Sequence, residues 1–357
     1  MSAIEFERQV LNALSKVEDP ELKRDIVSLG MIRDLKIENG NVSFRFVLTT
    51  PACPLANSLN EAARKAVESL SWVKSVDIKQ DAHVPKSPGA PKKPAPIEGI
   101  SNIIAVGSGK GGVGKSTVSV NLAVALAQTG AKVGLIDADI YGPDVPMLLG
   151  ITKEQKLALA EKEQLEPVEA YGIKVVSIGL ILPDDTPVIW RGPLISQMTE
   201  QFLTKMNWGE IDYMFVDLPP GTGDIQLTLV QKAPINGAVI VSTPQDVSLF
   251  DATKALNMFL KVDVPILGMV ENMSYFVCPH CGGQTNIFGT GGVEDTASRL
   301  CVDFLGRIPL EPRVREGGDA GKPIAADPSS KTAKEFHSIA TKVAAKLSVI
   351  NLTSGEK

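Results

Sequence analysis

The chain has 357 residues, 44% of them hydrophobic and 22% charged, with a net charge of −5. That length is more than one ordinary core accommodates, so two domains are expected. The mild acidity provides no field for nucleic acid, and no run of about 20 apolar residues offers a membrane span.

At the N-terminus, Ser2 and Glu5 have the spacing of a capping box, and Phe6, Val10, Leu14 and Val17 follow at helical intervals. Glu5, Glu7 and Arg8 break up the first ten residues, which do not read as a secretory signal. Residues 31–37 and 41–48 flank Glu38, Asn39 and Gly40, a hairpin signal, and Val42, Phe44, Phe46 and Leu48 alternate onto one face. A loop over 49–54 leads to a helix through Leu55, Leu59, Ala62, Ala66 and Leu70, and residues 72–78 read as a closing strand. Residues 1–81 are thus expected to form a small α+β domain. Residues 82–98 contain five prolines, at 85, 88, 91, 94 and 96, and read as an extended linker whose lysines are solvating charge.

From residue 99 onward, strands and helices alternate. Apolar runs at 103–106, 132–137, 212–217, 237–241 and 266–271 are bounded by turn residues, and a helix over 116–128 stops at Gly130. Continuous apolar strands separated by helices imply an α/β fold with a mostly parallel sheet flanked by helices. Right-handed crossovers would gather the strand C-termini, and any ligand, along one edge.

Gly109, Lys110, Gly111, Gly112, Val113, Gly114, Lys115 and Ser116, followed by Thr117, fit the phosphate-loop pattern between an apolar strand and a helix. Glycines let backbone amides wrap a phosphate, and the helix N-terminus adds partial positive charge. Lys115 is expected at the β- and γ-phosphates and Ser116 on Mg²⁺. Lys110, a second lysine inside the loop, reads either as solvated or as a functional group. Asp137 and Asp139 follow one strand and Asp217 ends another. Asp217 suits the metal-holding position, Asp139 is the first choice to orient the attacking water and Asp137 the second. Gly221 and Gly223 suit a switch loop. Asn272 ends a further strand and is either an adenine contact or a turn former.

Cys278 and Cys281 stand in a C-x-x-C pair followed by Gly282 and Gly283. Such a pair binds soft metals, but a tetrahedral zinc or a four-iron cluster takes about four ligands. Cys53 lies in the small domain, before a helix, where a role in cluster handling and a plain packing role weigh equally. Cys301 falls in 300–305, which reads as a buried helix face. A C₂ dimer presenting Cys278 and Cys281 from each copy would complete four thiolates, for iron–sulfur or for zinc. So few cysteines are no disulfide framework, and a reducing cytoplasmic setting is expected.

Taken together, these motifs resemble the Mrp/ApbC family of iron–sulfur carrier ATPases, within the deviant Walker A P-loop group. Residues 19–22, 25–31 and 50–54 are similar to the small domain of iron–sulfur assembly factors. Residues 109–117, 137–144, 190–193, 217–224, 243–246 and 278–281 match the ATPase part. The resemblance implies a homodimer that binds and hydrolyses ATP, holds a 4Fe–4S cluster between subunits, and passes it from cluster donors to apoprotein acceptors. It also implies that Lys110 reaches across the dimer to the partner's nucleotide. The competing classes are a MinD/ParA-like positioning ATPase, which would need a membrane or DNA surface and has no use for the cysteine pair, and a zinc-stapled dimeric regulatory ATPase.

Overall fold

A computed structural model describes residues 3–20, 22–84, 94–152, 165–181 and 192–354. The expected cap Ser2, most of the proline-rich linker, and Trp190 and Arg191 of the 190–193 motif lie outside the described residues. Contacts divide the chain into two units, Met1–Pro85 with Ala344–Lys357, and Lys86–Val343.

In the first unit, helix α1 (Ala3–Leu14) and helix α2 (Ala56–Glu68) share a core with a three-stranded sheet of β1 (Ile32–Glu38), β2 (Asn41–Leu48) and β3 (Ser75–Ala82). Strands β1 and β2 are antiparallel around Asn39 and Gly40, both at positive φ (52° and 89°), as a tight hairpin turn requires. Val42, Phe44, Phe46 and Leu48 are all buried, whereas β3 pairs parallel to β2. At the far end of the chain, Ser348 in helix 331–354 donates to the carbonyl of Thr49 at 3.3 Å.

The second unit is built on an eight-stranded sheet. Its strands are β4 (Ile103–Ser108), β5 (Val133–Asp137), β6 (Val168–Ala170), β7 (Ile173–Ser177), β8 (Tyr213–Asp217), β9 (Gly237–Ser242), β10 (Ile266–Glu271) and β11 (Phe304–Arg307), in the order β11-β10-β9-β4-β8-β5-β7-β6. All neighbours are parallel except β6 against β7. β4, β5, β8, β9 and β10 are buried along their whole length, which explains their uninterrupted apolar runs. The helices include α3 (Lys115–Ala127), α4 (Val145–Leu148), α5 (Gly192–Lys205), α6 (Asp224–Lys232), α7 (Asp246–Lys261), α8 (Gly292–Arg299) and α9 (Pro312–Asp319).

The buried helix face expected at 300–305 is not there. Helix α8 ends at Arg299, Cys301 takes a left-handed φ of 55° and is exposed, and Phe304 opens β11. The amides of Cys301 and Val302 turn back onto the carbonyls of Ser298 and Ala297, which closes the helix before the apolar residues can continue it.

Candidate functional site

Parallel strands align their C-termini, and here the alignment is residue by residue. Ser177 of β7 pairs with Asp137 of β5, and Asp137 pairs with Asp217 of β8. The loop after β4 carries the phosphate-loop motif, so glycines, lysine and carboxylates meet at one edge.

Two glycines of that loop are fixed by space. A Cβ on Gly109 would fall 2.1 Å from the carbonyl carbon of Asp251 in α7. Gly114 has φ +80°, and a Cβ there would fall 2.2 Å from Nδ2 of Asn272. Lys110, Gly111, Gly112, Gly114, Lys115, Ser116 and Thr117 line a cavity of about 340 Å³ together with Asp139, Asp144 and Met147. Val113 of the same loop is buried, and Ser108 donates to the carbonyl of Lys110 at 3.0 Å.

Asp217 is fully buried and receives three donors: Lys115 Nζ at 2.7 Å, Ser116 Oγ at 2.7 Å and Ser119 Oγ at 2.6 Å. Asp137, also fully buried, accepts from Ser177 Oγ at 2.8 Å and from the amide of Asp139 at 3.2 Å. Burial, reinforced by the negative charge of Asp217, holds its carboxyl well above the usual carboxylate range. Asp139 is raised mainly by burial, with Lys115 opposing, and it lines the cavity. Sequence reasoning brought these aspartates together but missed Ser119 and Ser177. Ser119 lies one helical turn after Ser116, on the same face, a spacing that could have pointed to it. The signal for Ser177, the end of the run 173–177, lay in a strand not anticipated.

Asn272 donates from Nδ2 to the carbonyl of Val113 at 2.8 Å, which ties the end of β10 to the phosphate loop. Six residues later comes the cysteine pair. Phe276 and Val277 pair antiparallel with Thr285 and Gln284, the amide of Cys278 donates to Gly283 O at 2.9 Å, and that of Gly282 to Cys278 O at 2.9 Å. This hairpin tip differs from the strand-to-helix setting of a redox pair, and His280 on it is exposed. Hydrogen bonds from the amides of Cys281 and His280, with one from the Cys281 thiol, draw the Cys278 thiol below its usual range. Cys278 is half-buried and Cys281 exposed.

A family model described as NUBPL iron-transfer P-loop NTPase matches residues 99–344, and one described as iron-sulfur cluster assembly protein matches residues 7–79. The chain is 51% identical over 347 residues to the iron-sulfur cluster carrier protein of Synechocystis sp., covering 96% of this chain and 98% of the relative. It is 48% identical over 256 residues to the iron-sulfur cluster transfer protein NUBPL of Dictyostelium discoideum, covering 71% and 79%. The nucleotide-binding protein of Archaeoglobus fulgidus, solved in complex with ADP, superposes with a TM-score of 0.59 at 42% identity, over 67% of this chain and 93% of that one. The cell division ATPase MinD of Pyrococcus furiosus gives a TM-score of 0.52 at 25% identity, over 68% and 98%. The fold is that of a P-loop NTPase, and with the family model matched over 99–344 and a 51% identical relative aligned over nearly the whole chain, the chain belongs to the family of NUBPL iron-transfer P-loop NTPases.

Proposed function

We propose that the chain is an ATP-hydrolysing carrier that holds a 4Fe–4S cluster between two copies of itself and passes it from cluster donors to apoproteins in the cytoplasm. The observation that carries this reading is half a coordination sphere, Cys278 and Cys281, a few residues beyond a strand end that is bonded to the phosphate loop. Among the described residues, no group of three or more histidines, cysteines or carboxylates could hold a metal ion. Two thiols on a hairpin tip need a second pair, and an isologous interface supplies it.

The residues of the nucleotide site have distinct tasks in this reading. Amides of the loop from Gly109 to Ser116 hold phosphate, and Lys115, bonded to Asp217 in the structure, is available to the β- and γ-phosphates. Ser116 Oγ and Asp217 Oδ2, 2.7 Å apart, form a hard oxygen set that fits Mg²⁺, directly and through water; the ion when bound would offset phosphate charge. Asp139 faces the cavity and orients the attacking water, whereas Asp137 is engaged by Ser177 and braces the floor. Lys110 extends to the nucleotide of the second copy. Asn272 keeps Oδ1 for the exocyclic amine of adenine. Hydrolysis changes the contacts of the loop and thereby how tightly the thiols are held.

The test is to reconstitute the full-length protein anaerobically and measure iron, sulfide, zinc and mass in solution. About four irons and four sulfides per two chains are expected, with the cluster lost in Cys278→Ala and Cys281→Ala. Zinc alone, or a single chain carrying its full metal complement, would overturn the proposal.

A further inference from the structure

Glu271 closes β10 with no exposed surface, and nothing in the nucleotide or thiol chemistry above uses it. A buried carboxyl group is costly unless its acceptor positions are filled. Here they are: Oε1 accepts from the amide of Gly291 at 3.0 Å and from the Ser274 hydroxyl, and Oε2 from the amide of Val293 at 2.9 Å. Arg307 Nε stands 3.6 Å from Oε1, while its guanidinium bonds Glu294.

The position of these partners in the chain gives the arrangement its meaning. Residues 272–290 leave the sheet after β10, carry the cysteine hairpin, and return at α8. Glu271 is the last residue before that excursion, and Gly291 and Val293 are among the first after it. One carboxyl group therefore ties the two ends of the excursion together. Ser274, itself fully buried, adds a strap, with its amide on Ile308 O at 3.0 Å and its hydroxyl 3.2 Å from that of Thr290. On the other side, the next residue, Asn272, is fastened to Val113 of the phosphate loop.

We propose that Glu271 is a positioning residue that clamps the base of the cysteine excursion, so that a displacement of the phosphate loop reaches Cys278 and Cys281 instead of dissipating in residues 272–290. The inference rests on the reading of phosphate loop and thiol pair as linked sites. The displacement has a source in the structure: bound phosphate competes with Asp217 for Lys115 and engages the amides of the loop to which Asn272 is bonded.

The test uses full-length, cluster-free protein under anaerobic reducing conditions. Alkylation of Cys278 and Cys281 by iodoacetamide is followed by peptide mass spectrometry with and without Mg²⁺ and the non-hydrolysable analogue AMPPNP. Nucleotide is expected to change the wild-type rate by about fivefold or more, the lower end of typical coupling between sites. Glu271→Gln keeps the shape but turns one acceptor into a donor facing amide donors. Its ratio should fall below about twofold, while affinity for a fluorescent ATP analogue stays within about threefold of wild type. Ser274→Ala, which removes one donor to Glu271 and the contact with Thr290 but keeps the amide bond to Ile308, should give an intermediate ratio. A wild-type ratio in Glu271→Gln overturns the proposal and leaves the carrier reading standing; a wild-type ratio near one overturns the proposal and the linkage beneath it. Hydrogen exchange on the unmodified chain needs no variant to fold. Nucleotide should slow exchange across 271–293 as well as in the phosphate loop, and protection confined to the loop would overturn the clamp.

Discussion

Lys115→Met keeps most of the side-chain volume and deletes the ammonium group 2.7 Å from Asp217 Oδ2. Lys115 is 6% exposed and Asp217 0%, so water entering from the cavity replaces the lost partner only in part. Removing one member of a buried pair costs about 3–5 kcal/mol, because the other charge is left uncompensated. Ser116 and Ser119 continue to donate to Asp217, which favours the lower end, about 3 kcal/mol. Asp137 works in the other direction: its register partner Asp217 already pushes its carboxyl up, and Lys115 is one of the groups pulling it down. At about 2–4 °C per kcal/mol for a unit of this size, melting of the nucleotide-free protein should fall by about 6–12 °C. The assay is a thermal melt near neutral pH, with Asp217→Asn and the double variant completing a cycle. The double variant should be more stable than Lys115→Met, because a neutral amide needs no cation, and ATP turnover should be lost whenever Lys115 is replaced. A Lys115→Met melt within about 2 °C of wild type, or a double variant no better than the single one, would refute the pairing argument.

Two further outcomes follow from the same edge of the sheet. Asp139→Asn should lower kcat for phosphate release by about 100-fold, the scale of a lost acid–base or water-orienting group, with a smaller change in KM; undiminished steady-state turnover would pass the role to another residue. Ser177→Ala removes the 2.8 Å donor that draws the Asp137 carboxyl down. A carboxyl raised in the folded state contributes stability that is present below its ordinary value of 3.8 and lost as pH climbs through the folded value. The variant should therefore lose about 1–3 kcal/mol where Asp137 is ionised and less where it is protonated, so the loss should grow as pH rises. Denaturant midpoints across a pH series read this directly, and a loss that shrinks as pH rises would count against it.

What was legible in the sequence was what depends on local pattern. The strands at 103–108, 213–217, 237–242 and 266–271 are buried on both faces and therefore read as unbroken apolar runs. Asn39 and Gly40 announced their turn because L residues other than asparagine rarely accept that backbone. At 300–305 the pattern misled, since apolar residues that start a strand look the same as a buried helix face until the cap of the preceding helix is known. Ser177 was invisible because its meaning comes from register: only when β7 lies beside β5 does its hydroxyl meet Asp137.

The same distinction separates the two halves of the candidate site. A phosphate loop is written in consecutive residues, because one turn of backbone and one helix start do the binding. Its support is not. Gly109 must be glycine because the backbone of α7, well over a hundred residues later, passes where a Cβ would stand, and Gly114 because its φ of +80° rarely suits an L residue, with Asn272 Nδ2 also in the way of a Cβ. The second of these contacts joins the nucleotide loop to the strand end that leads into the cysteine hairpin. A larger residue at Gly114 would strain the loop and push on Asn272 together, so space at this one position serves phosphate binding and the connection to the thiols at once.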